Sequence, residues 1–235
     1  MLVISHRGAA GLARENTLDA LRAGLEAGAD ILEMDVRLTR DGIPVLMHDF
    51  LALRTHKNTS IISRHTLGEL KERFKGQSVT TLDEVLKHFF GKVLLNIEVK
   101  GRGCGKTVVE FVKANYIKNP RDWDKVLFSS FHGNELAAIR RVSKEANLSL
   151  LHTLNPFLFI AYYRKLQLTA VGFHRLYAND LAVEIAKKAG LFTYVYTVDR
   201  PHTALLFSRK GIDGIVTNRP DLVLREINKQ SKKEN

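Results

Sequence analysis

Short apolar runs of β-strand type alternate with runs of helical period along almost the whole sequence, and this alternation constrains the fold more than any other feature. The strand-like runs cover residues 2–5, 31–36, 93–99, 126–129, 149–153, 170–173, 192–198 and 214–217. The helix-like runs cover residues 17–26, 82–90, 107–116, 134–145, 157–165, 179–188, 202–209 and 221–227. Short parallel strands need helical crossovers, and a closed sheet leaves no exposed edge. The sequence therefore predicts an α/β fold, a (β/α)8 TIM barrel.

The alternative arrangement of such units is a doubly wound open sheet. That fold would need a dinucleotide signature such as G-x-G-x-x-G where the first helix begins. Gly8, Gly11 and their neighbours do not supply this pattern. The closed barrel is the favoured arrangement.

The length of 235 residues and the hydrophobic content of 45% suit one globular domain. We expect the barrel to cover residues 1–228, with a polar tail over residues 229–235. The largest departure from the repeat is an insertion at about residues 49–80, after the second strand. The run 42–47 just before it indicates the second arm of a hairpin. Loops at this end of a barrel usually build the active site, so a short insertion predicts a pocket open on one side.

Polar side chains interrupt these apolar runs at a few positions. Glu33 and Asp35 occupy positions i and i+2 of a strand, point to the same face and can share one cation. Glu98 joins them from the next strand of the repeat, and an all-oxygen set without cysteine suits Mg²⁺ or Ca²⁺ rather than structural zinc. His6 and His48 flank the two acids, and imidazole titrates near neutrality. Taken alone, the acids are equally consistent with surface ion pairs, and a lone histidine is more often structural.

The ordered series of motifs resembles the glycerophosphodiester phosphodiesterase family. The matching runs are Ser5-His6-Arg7-Gly8-Ala9, Glu15-Asn16-Thr17, Ile31-Leu32-Glu33-Met34-Asp35-Val36, Thr39-Arg40-Asp41-Gly42-Ile43-Pro44, His48-Asp49, Asn96-Ile97-Glu98-Val99-Lys100, Tyr194-Val195-Tyr196-Thr197-Val198 and Gly211-Ile212-Asp213-Gly214-Ile215-Val216-Thr217-Asn218. The resemblance spans almost the whole chain. It implies that the insertion is a small capping subdomain.

The resemblance also implies roles for individual residues. His6 and His48 would be the general acid and general base, in either order. Glu33, Asp35 and Glu98 would hold the divalent metal ion, Mg²⁺ or Ca²⁺. Substrate-binding or site-organising positions are Arg7, Glu15, Asn16, Lys100, His174 and Tyr196. His174 and Tyr196, with His132, are candidates because each follows or ends a predicted strand at the carboxyl side.

Some of these positions have a second interpretation. Arg7 can grip a phosphate oxygen with its planar fork, and Lys100 shares a strand face with Glu98, but either can instead form a structural ion pair with Glu15 or Glu98. Asn16 stands just before a helix, where it makes a good N-cap.

Two positions depart from the family pattern. The family usually has tryptophan at the position of Tyr196 and aspartate at the position of Asn218. These changes keep an aromatic wall and remove one charge, and they leave the specificity for the alcohol open.

The function implied is metal-dependent hydrolysis of glycerophosphodiesters to glycerol 3-phosphate and an alcohol. The nearest alternative is a related phosphodiesterase of phospholipase C or lysophospholipase D type acting on lipid. Such an enzyme should show an exposed apolar rim, for which the run 157–163 is the weak candidate. A third possibility is a phosphate-binding barrel without catalysis.

Composition limits the remaining possibilities. The single cysteine, Cys104, lies in a glycine-rich run that indicates a loop, and nothing around it resembles a cysteine-enzyme signature. No secretory pattern opens the chain, and no apolar run approaches the ~20 residues that span a bilayer, so we expect a cytoplasmic protein without stable membrane insertion. The net charge of +11 favours an anionic substrate, while the scatter of its lysines and arginines predicts no nucleic-acid partner.

Overall fold

The computed structural model describes residues 1–152 and 154–234, the last four of them by their backbone alone. Its strands are β1 (Leu2–Ser5), β2 (Ile31–Leu38), β3 (Pro44–Leu46), β4 (Leu94–Val99), β5 (Val126–Ser130), β6 (Asn147–His152), β7 (Ala170–His174), β8 (Phe192–Tyr196) and β9 (Gly214–Thr217). Its helices are α1 (Leu18–Glu26), α2 (Leu53–His56), α3 (Leu67–Arg73), α4 (Leu82–Phe89), α5 (Cys104–Asn115), α6 (Gly133–Val142), α7 (Tyr163–Leu166), α8 (Asp180–Lys188), α9 (Pro201–Arg209) and α10 (Pro220–Glu234).

The described strands form a closed parallel barrel, which confirms the predicted fold. Strands β1, β2 and β4 to β9 pair in parallel around the ring, and β1 bonds to both β2 and β9. The short strand β3 runs antiparallel to the end of β2, with Val36 beside Leu46. The run 42–47 therefore forms the second arm of a hairpin, as predicted.

Successive side chains of a strand point to opposite faces of the sheet. One apolar cluster therefore fills the inside of the barrel, and a second fills the layer between the strands and the helices. On β2, Leu32, Met34 and Val36 belong to the large cluster that packs the strands against the helices. Ile31 points the other way and packs inside the barrel with residues of six other strands. The interior cluster consists of Ile4, Ile31, Leu127, Leu151, Ala170, Tyr194 and Val216. Above it, towards the carboxyl ends of the strands, the interior positions become polar.

The inserted segment has a small core of its own. Seven buried apolar residues form it, namely Val45, Met47, Ala52, Ile62, Leu70, Phe74 and Val79. Helix α3 begins with a capping box in which Thr66 and Glu69 satisfy each other's backbone N–H groups. The expected insertion at residues 49–80 thus holds short helices, and its assignment as a separate subdomain stays a prediction.

Three local predictions differ from the structure. Cys104 opens helix α5 instead of lying in a loop, and its thiol is buried and donates to the carbonyl of Val36 at 3.3 Å. The predicted helix 157–165 is split into a 3-10 turn at Leu158–Ala161 and the single turn α7. Helix α10 continues through residues 229–234, which the sequence suggested as a tail. The predicted end of the fifth strand, Thr153, lies outside the described residues.

Every helix within residues 1–152 and 154–234 is too short or too polar to cross a bilayer.

Gly8, two residues after His6, allows α1 to pack closely on the barrel. Gly8 has a φ of +86°, and a Cβ built there would lie 2.6 Å from the backbone of Ala20 and Leu21. Gly42 has a φ of +77°, but no atom lies within 4 Å of its built Cβ. Gly8 combines an unusual backbone conformation with a steric limit, whereas Gly42 has only the first.

We expect Gly8→Ala to lower the free energy of unfolding by about 2–4 kcal/mol, because backbone strain and overpacking add. Gly42→Ala is the matched control and should cost about 1 kcal/mol, the strain alone. Urea unfolding followed by circular dichroism in the presence of EDTA measures both. Equal losses of stability in the two variants would show that contact with α1 does not restrict which side chain position 8 can hold.

Candidate active site and metal centre

Three buried acids meet inside the barrel because of the register between β2 and β4. Glu33 pairs with Asn96 and Asp35 pairs with Glu98 across this parallel pair, so the acids occupy neighbouring interior positions. One carboxylate oxygen from each of Glu33, Asp35 and Glu98 lies within 4.8 Å of the others. All three residues are buried. The predicted set therefore comes together in a group that could hold a metal ion.

The oxygens of this group suit a hard cation. Glu33 Oε2 accepts from the backbone N–H of Arg7 at 2.7 Å, and Asp35 Oδ2 accepts from the side-chain amide of Asn16 at 2.9 Å. Of their other oxygens, Asp35 Oδ1 and Glu98 Oε1 lie 3.3 and 2.6 Å from Nζ of Lys100, whereas Glu33 Oε1 is buried without a hydrogen-bond partner among the described residues. A buried oxygen is rarely left in this state. An oxygen-binding ion such as Mg²⁺ or Ca²⁺ would satisfy Glu33 Oε1 and could be shared by the other two acids.

The protonation of the acids reflects their burial. Burial, reinforced by the charge of Asp35, raises the pKa of both Glu33 and Glu98 to about 8. Burial also acts to raise the pKa of Asp35, but the charges of Lys100 and Arg7 outweigh it and hold that pKa below its ordinary value. Without a metal ion, Asp35 is the carboxylate of the group at neutral pH, and the two glutamates keep their protons.

Two cations flank the acids. Arg7 Nε lies 3.2 Å from Asp35 Oδ2, and its Nη1 donates to Glu15 Oε1 at 3.1 Å. Lys100 Nζ lies 2.6 Å from Glu98 Oε1 and 3.3 Å from Asp35 Oδ1. Arg7 thus pairs with Glu15, and Lys100 lies within ion-pair distance of Glu98. Contacts of either cation with phosphate stay a prediction.

Asn16 does not cap helix α1, which corrects one interpretation of the sequence. The N-cap is Thr17, whose hydroxyl accepts from the backbone N–H of Ala20 at 3.2 Å. Asn16 has a φ of +56° and is turned into the barrel. Its Oδ1 accepts from the backbone N–H of Asp35 at 3.0 Å, so both ends of its amide bind Asp35. Asn16 therefore fixes the orientation of a metal-site acid.

His6, at the end of β1, shares a small cavity with two of the acids. Glu33, Glu98 and the rings of Phe131 and Tyr196 are among the other walls of this cavity, whose volume is about 30 Å³. The Nδ1 atom of His6 lies 2.7 Å from Oδ1 of Asn218. The Nδ2 group of Asn218 donates to Asp199 at 2.9 Å, which fixes its amide with Oδ1 towards the histidine.

His48, on the hairpin side of the barrel, is held in a similar way by a charged partner. Its Nδ1 lies 2.7 Å from Oδ1 of Asp49. Arg54 donates to Asp49 Oδ2 at 2.8 Å and binds both carboxylate oxygens of Glu15 at 2.7 and 2.6 Å. The backbone carbonyl of His48 accepts from Nε of Arg37 at 2.9 Å. This network connects the inserted segment, through Arg54, to the barrel.

Both histidines are neutral at neutral pH in the protein without substrate, and in both rings Nε2 is the nitrogen left without a hydrogen-bond partner among the described residues. Burial lowers the pKa of His6, and the charge of Arg7 lowers it further. Burial is also the main cause that lowers the pKa of His48. Because Nδ1 of each ring is occupied by an oxygen acceptor, Nδ1 carries the proton and Nε2 is left to exchange one.

The remaining aromatic candidates lie around the rim. Tyr196 lines the cavity of His6, but its hydroxyl donates to the carbonyl of His152 at 2.7 Å. The ring of His174 lies against Tyr196 with a centroid distance of 5.9 Å. His132 forms the N-cap position of α6 and does not line that cavity. Substrate contacts of His174 and Tyr196 stay a prediction.

Several residues that support the site were not predicted from the sequence. Asp199, Asp49 and Arg54 position the histidines, and Arg37 binds the backbone of His48. Asp49 stands directly beside His48 in the sequence, which was an available signal. Arg54, Arg37 and Asp199 stand 5, 11 and 19 residues from the residues they bind, and no motif of the sequence connects these pairs.

The raised pKa values of Glu33 and Glu98 predict proton release on metal binding. A metal ion must displace the protons that these groups hold below about pH 8, so its affinity should weaken as the pH falls, by up to about tenfold per pH unit for each proton displaced. Calorimetric titration with Mg²⁺ or Ca²⁺ in buffers of different ionisation enthalpy measures the release. We expect release at pH 7, close to none at pH 9, and about half as much at pH 7 in Glu33→Gln. Binding without proton release at pH 7 would contradict this.

Comparisons with known proteins agree with this geometry. The glycerophosphoryl diester phosphodiesterase family model matches residues 6–222. A glycerophosphodiester phosphodiesterase of Caldanaerobacter subterraneus is 31% identical, with 97% of this chain and 98% of the relative covered. A phosphodiesterase from Oleispira antarctica, solved with the product sn-glycerol-3-phosphate, superposes with a TM-score of 0.86 at 26% identity, covering 97% of each chain. A glycerophosphodiester phosphodiesterase from Thermotoga maritima gives 0.82 at 29% identity, covering 96% of this chain and 97% of the other. The chain therefore belongs to the glycerophosphoryl diester phosphodiesterase family and is an enzyme of the hydrolase class.

Proposed function

We propose that this protein hydrolyses glycerophosphodiesters, such as glycerophosphocholine or glycerophosphoethanolamine, to glycerol 3-phosphate and an alcohol. The observation that carries the proposal is the meeting of Glu33, Asp35 and Glu98 in one buried group. Two of these acids, Glu33 and Glu98, share a cavity with His6, and Lys100 contacts Glu98. The family membership and the product held by the Oleispira antarctica structure support the same substrate class.

The acids would supply the metal site of the reaction. When bound by Glu33, Asp35 and Glu98, Mg²⁺ or Ca²⁺ neutralises charge on the phosphate and polarises its oxygens. Arg7 and Lys100 hold Asp35 and Glu98 in place and add positive charge at the mouth of the site. This concentration of positive charge lowers the repulsion between a phosphodiester anion and an attacking oxygen.

The two histidines would move the protons. One Nε2 atom accepts a proton from the attacking hydroxyl, and the other, protonated, donates to the leaving alkoxide. An imidazole beside a bound phosphodiester anion gains a proton more readily than in the free enzyme, which offsets the effect of burial. The attacking group is either water or the neighbouring hydroxyl of the substrate. Trapping of a cyclic phosphate product would identify the second route.

We expect His6→Ala and His48→Ala to lower kcat by about 10²–10⁴-fold, the usual range for loss of a general acid or base. His88→Ala, on the exposed face of α4, is the control and should keep full activity. Release of glycerol 3-phosphate from glycerophosphocholine is the measurement. It should stop with EDTA and return with Mg²⁺ or Ca²⁺.

Substrate binding without turnover in the unaltered protein, or full activity in both histidine variants, would contradict the proposal. The first result would instead support a phosphate-binding barrel without catalysis.

A lipid substrate is the second candidate, because exposed aliphatic side chains lie at the mouth of the barrel. Leu154, Leu158 and Ile160, in the connection that follows β6, are 72%, 39% and 44% exposed. Loops that follow the strands line the catalytic end of such barrels. This rim is the feature that a phosphodiesterase acting on micelles or membranes would need.

The two candidates predict different substrate preferences. We expect a higher kcat/KM for glycerophosphocholine than for lysophosphatidylcholine, since the acids and cations of the site recognise the shared polar part. The measurement compares both substrates below and above the micelle concentration, in the unaltered protein and in Leu158→Ser/Ile160→Ser. Leu206→Ser, at a 44% exposed position of α9, is the matched control. Activity that rises with micelle formation and falls only in the double variant would assign the enzyme to lipid.

A further inference from the structure

A second cavity adjoins the candidate active site through Lys100. It has a volume of about 200 Å³ and lies between the end of β2, the inserted segment and the turn that leads into α5. Lys100 is part of its wall, while Nζ of the same residue contacts Glu98 and Asp35. One residue therefore borders both the cavity and the acids. We call it the cationic cavity.

The charged side chains that line this cavity are all positive. They are Arg37, Lys100 and Arg102. Lys100 is committed to the acids, but Arg37 and Arg102 form no ion pair within the described part of the chain. Arg37 donates only its Nε, to the carbonyl of His48. A guanidinium has five N–H donors, so most of those of Arg37 are left for a ligand.

The position of Arg37 makes its free charge unusual. Arg37 is half-buried, and no carboxylate among the described residues lies within ion-pair distance of its guanidinium. Half-buried cations are normally paired. Arg37 therefore has the character of a binding group whose partner is an anion from outside the chain.

The rest of the wall suits a short carbon stem. Leu38, Phe50 and Ile62 provide apolar surface, and Phe50 is 62% exposed at the opening. A volume of about 200 Å³ corresponds to roughly six waters, at about 30 Å³ each, which is enough for a small head group. Planar guanidinium groups bind carboxylate and phosphate oxygens in pairs.

We propose that the cationic cavity binds an oxyanion carried by the alcohol portion of the substrate, so that this enzyme prefers glycerophosphodiesters with an anionic head group. The inference rests on the proposed function, since it assigns one ester arm of the phosphodiester to the acids and the other to this cavity. A quaternary ammonium head group such as choline meets repulsion from Arg37 and Arg102, whereas a carboxylate gains two cationic partners. The enzyme then distinguishes head groups by charge.

The test uses two substrates that differ in one charge. They are the glycerol 3-phosphate diesters of 3-hydroxypropionate and of 3-hydroxypropionamide, which have nearly the same shape. We expect kcat/KM to be about fivefold higher for the acid at low ionic strength, as for a partly exposed charge pair. The ratio should fall towards one as NaCl is raised, because exposed charges are screened.

Variants of Arg102 locate the effect without altering the catalytic groups. Arg102→Gln should bring the ratio of the two substrates close to one by lowering kcat/KM for the acid more than kcat/KM for the amide. Arg102→Lys keeps the charge and should keep most of the preference. Arg121→Gln, an exposed position before β5 at the opposite end of the barrel, is the matched control and should keep all of it.

Equal kcat/KM for the two substrates, or a preference that survives Arg102→Gln unchanged, would overturn the inference and leave the proposed function intact. Hydrolysis of neither substrate by the unaltered protein, with metal present, would overturn both.

Discussion

The parallel register between β2 and β4 is the constraint on which the rest of the site depends. It places Asp35 beside Glu98, with Glu33 one interior position below, so that three carboxyl groups share one buried volume. Like charges at this separation repel strongly where water is excluded. The chain offsets part of this repulsion with Arg7 and Lys100, and it leaves Glu33 Oε1 without a hydrogen-bond partner among the described residues. The arrangement is unfavourable as a structural ion cluster and favourable as a cation site.

The supports of the two histidines differ in charge. His6 is held by a neutral amide, Asn218, and the carboxylate of Asp199 lies one bond further away. His48 is held directly by Asp49. A carboxylate beside Nδ1 stabilises an imidazolium more than an amide does, so in the proposed mechanism His48 would hold a proton more easily than His6 once substrate is bound. The same carboxylate is bound by Arg54 from the inserted segment, so the orientation of His48 depends on that segment.

The sequence predicted what depends on strand periodicity and failed where partners are distant. Alternation along β2 and the repeat of eight units were enough for the barrel and for the common face of Glu33 and Asp35. For Asn16 the sequence left two roles open, an N-cap and a site-organising residue, and only the structure identifies its partner as Asp35, 19 residues away. Arg37 gave no signal, since a cation at the end of a strand is ordinary until the absence of a partner is seen. At Cys104 the prediction was wrong for a local reason. The glycines around it suggested a loop, but helix α5 begins at this residue and its side chain is buried.

The metal site also links function to stability. Glu33 and Glu98 have an ordinary pKa of 4.5 and a folded pKa of about 8, so between these values the folded protein holds more protons than the unfolded chain. Stability without metal therefore falls as the pH rises through this interval. Asp35 has the opposite effect on stability. Because its folded pKa is lowered, its carboxylate stabilises the fold at neutral pH, and this stabilisation is lost as the pH falls into the acid range. A cation that binds only the folded state restores stability where the glutamates ionise, in proportion to the logarithm of its concentration over its Kd. The barrel thus tolerates three buried acids at neutral pH by keeping protons on two of them, and in the proposed function a metal ion would take the place of those protons.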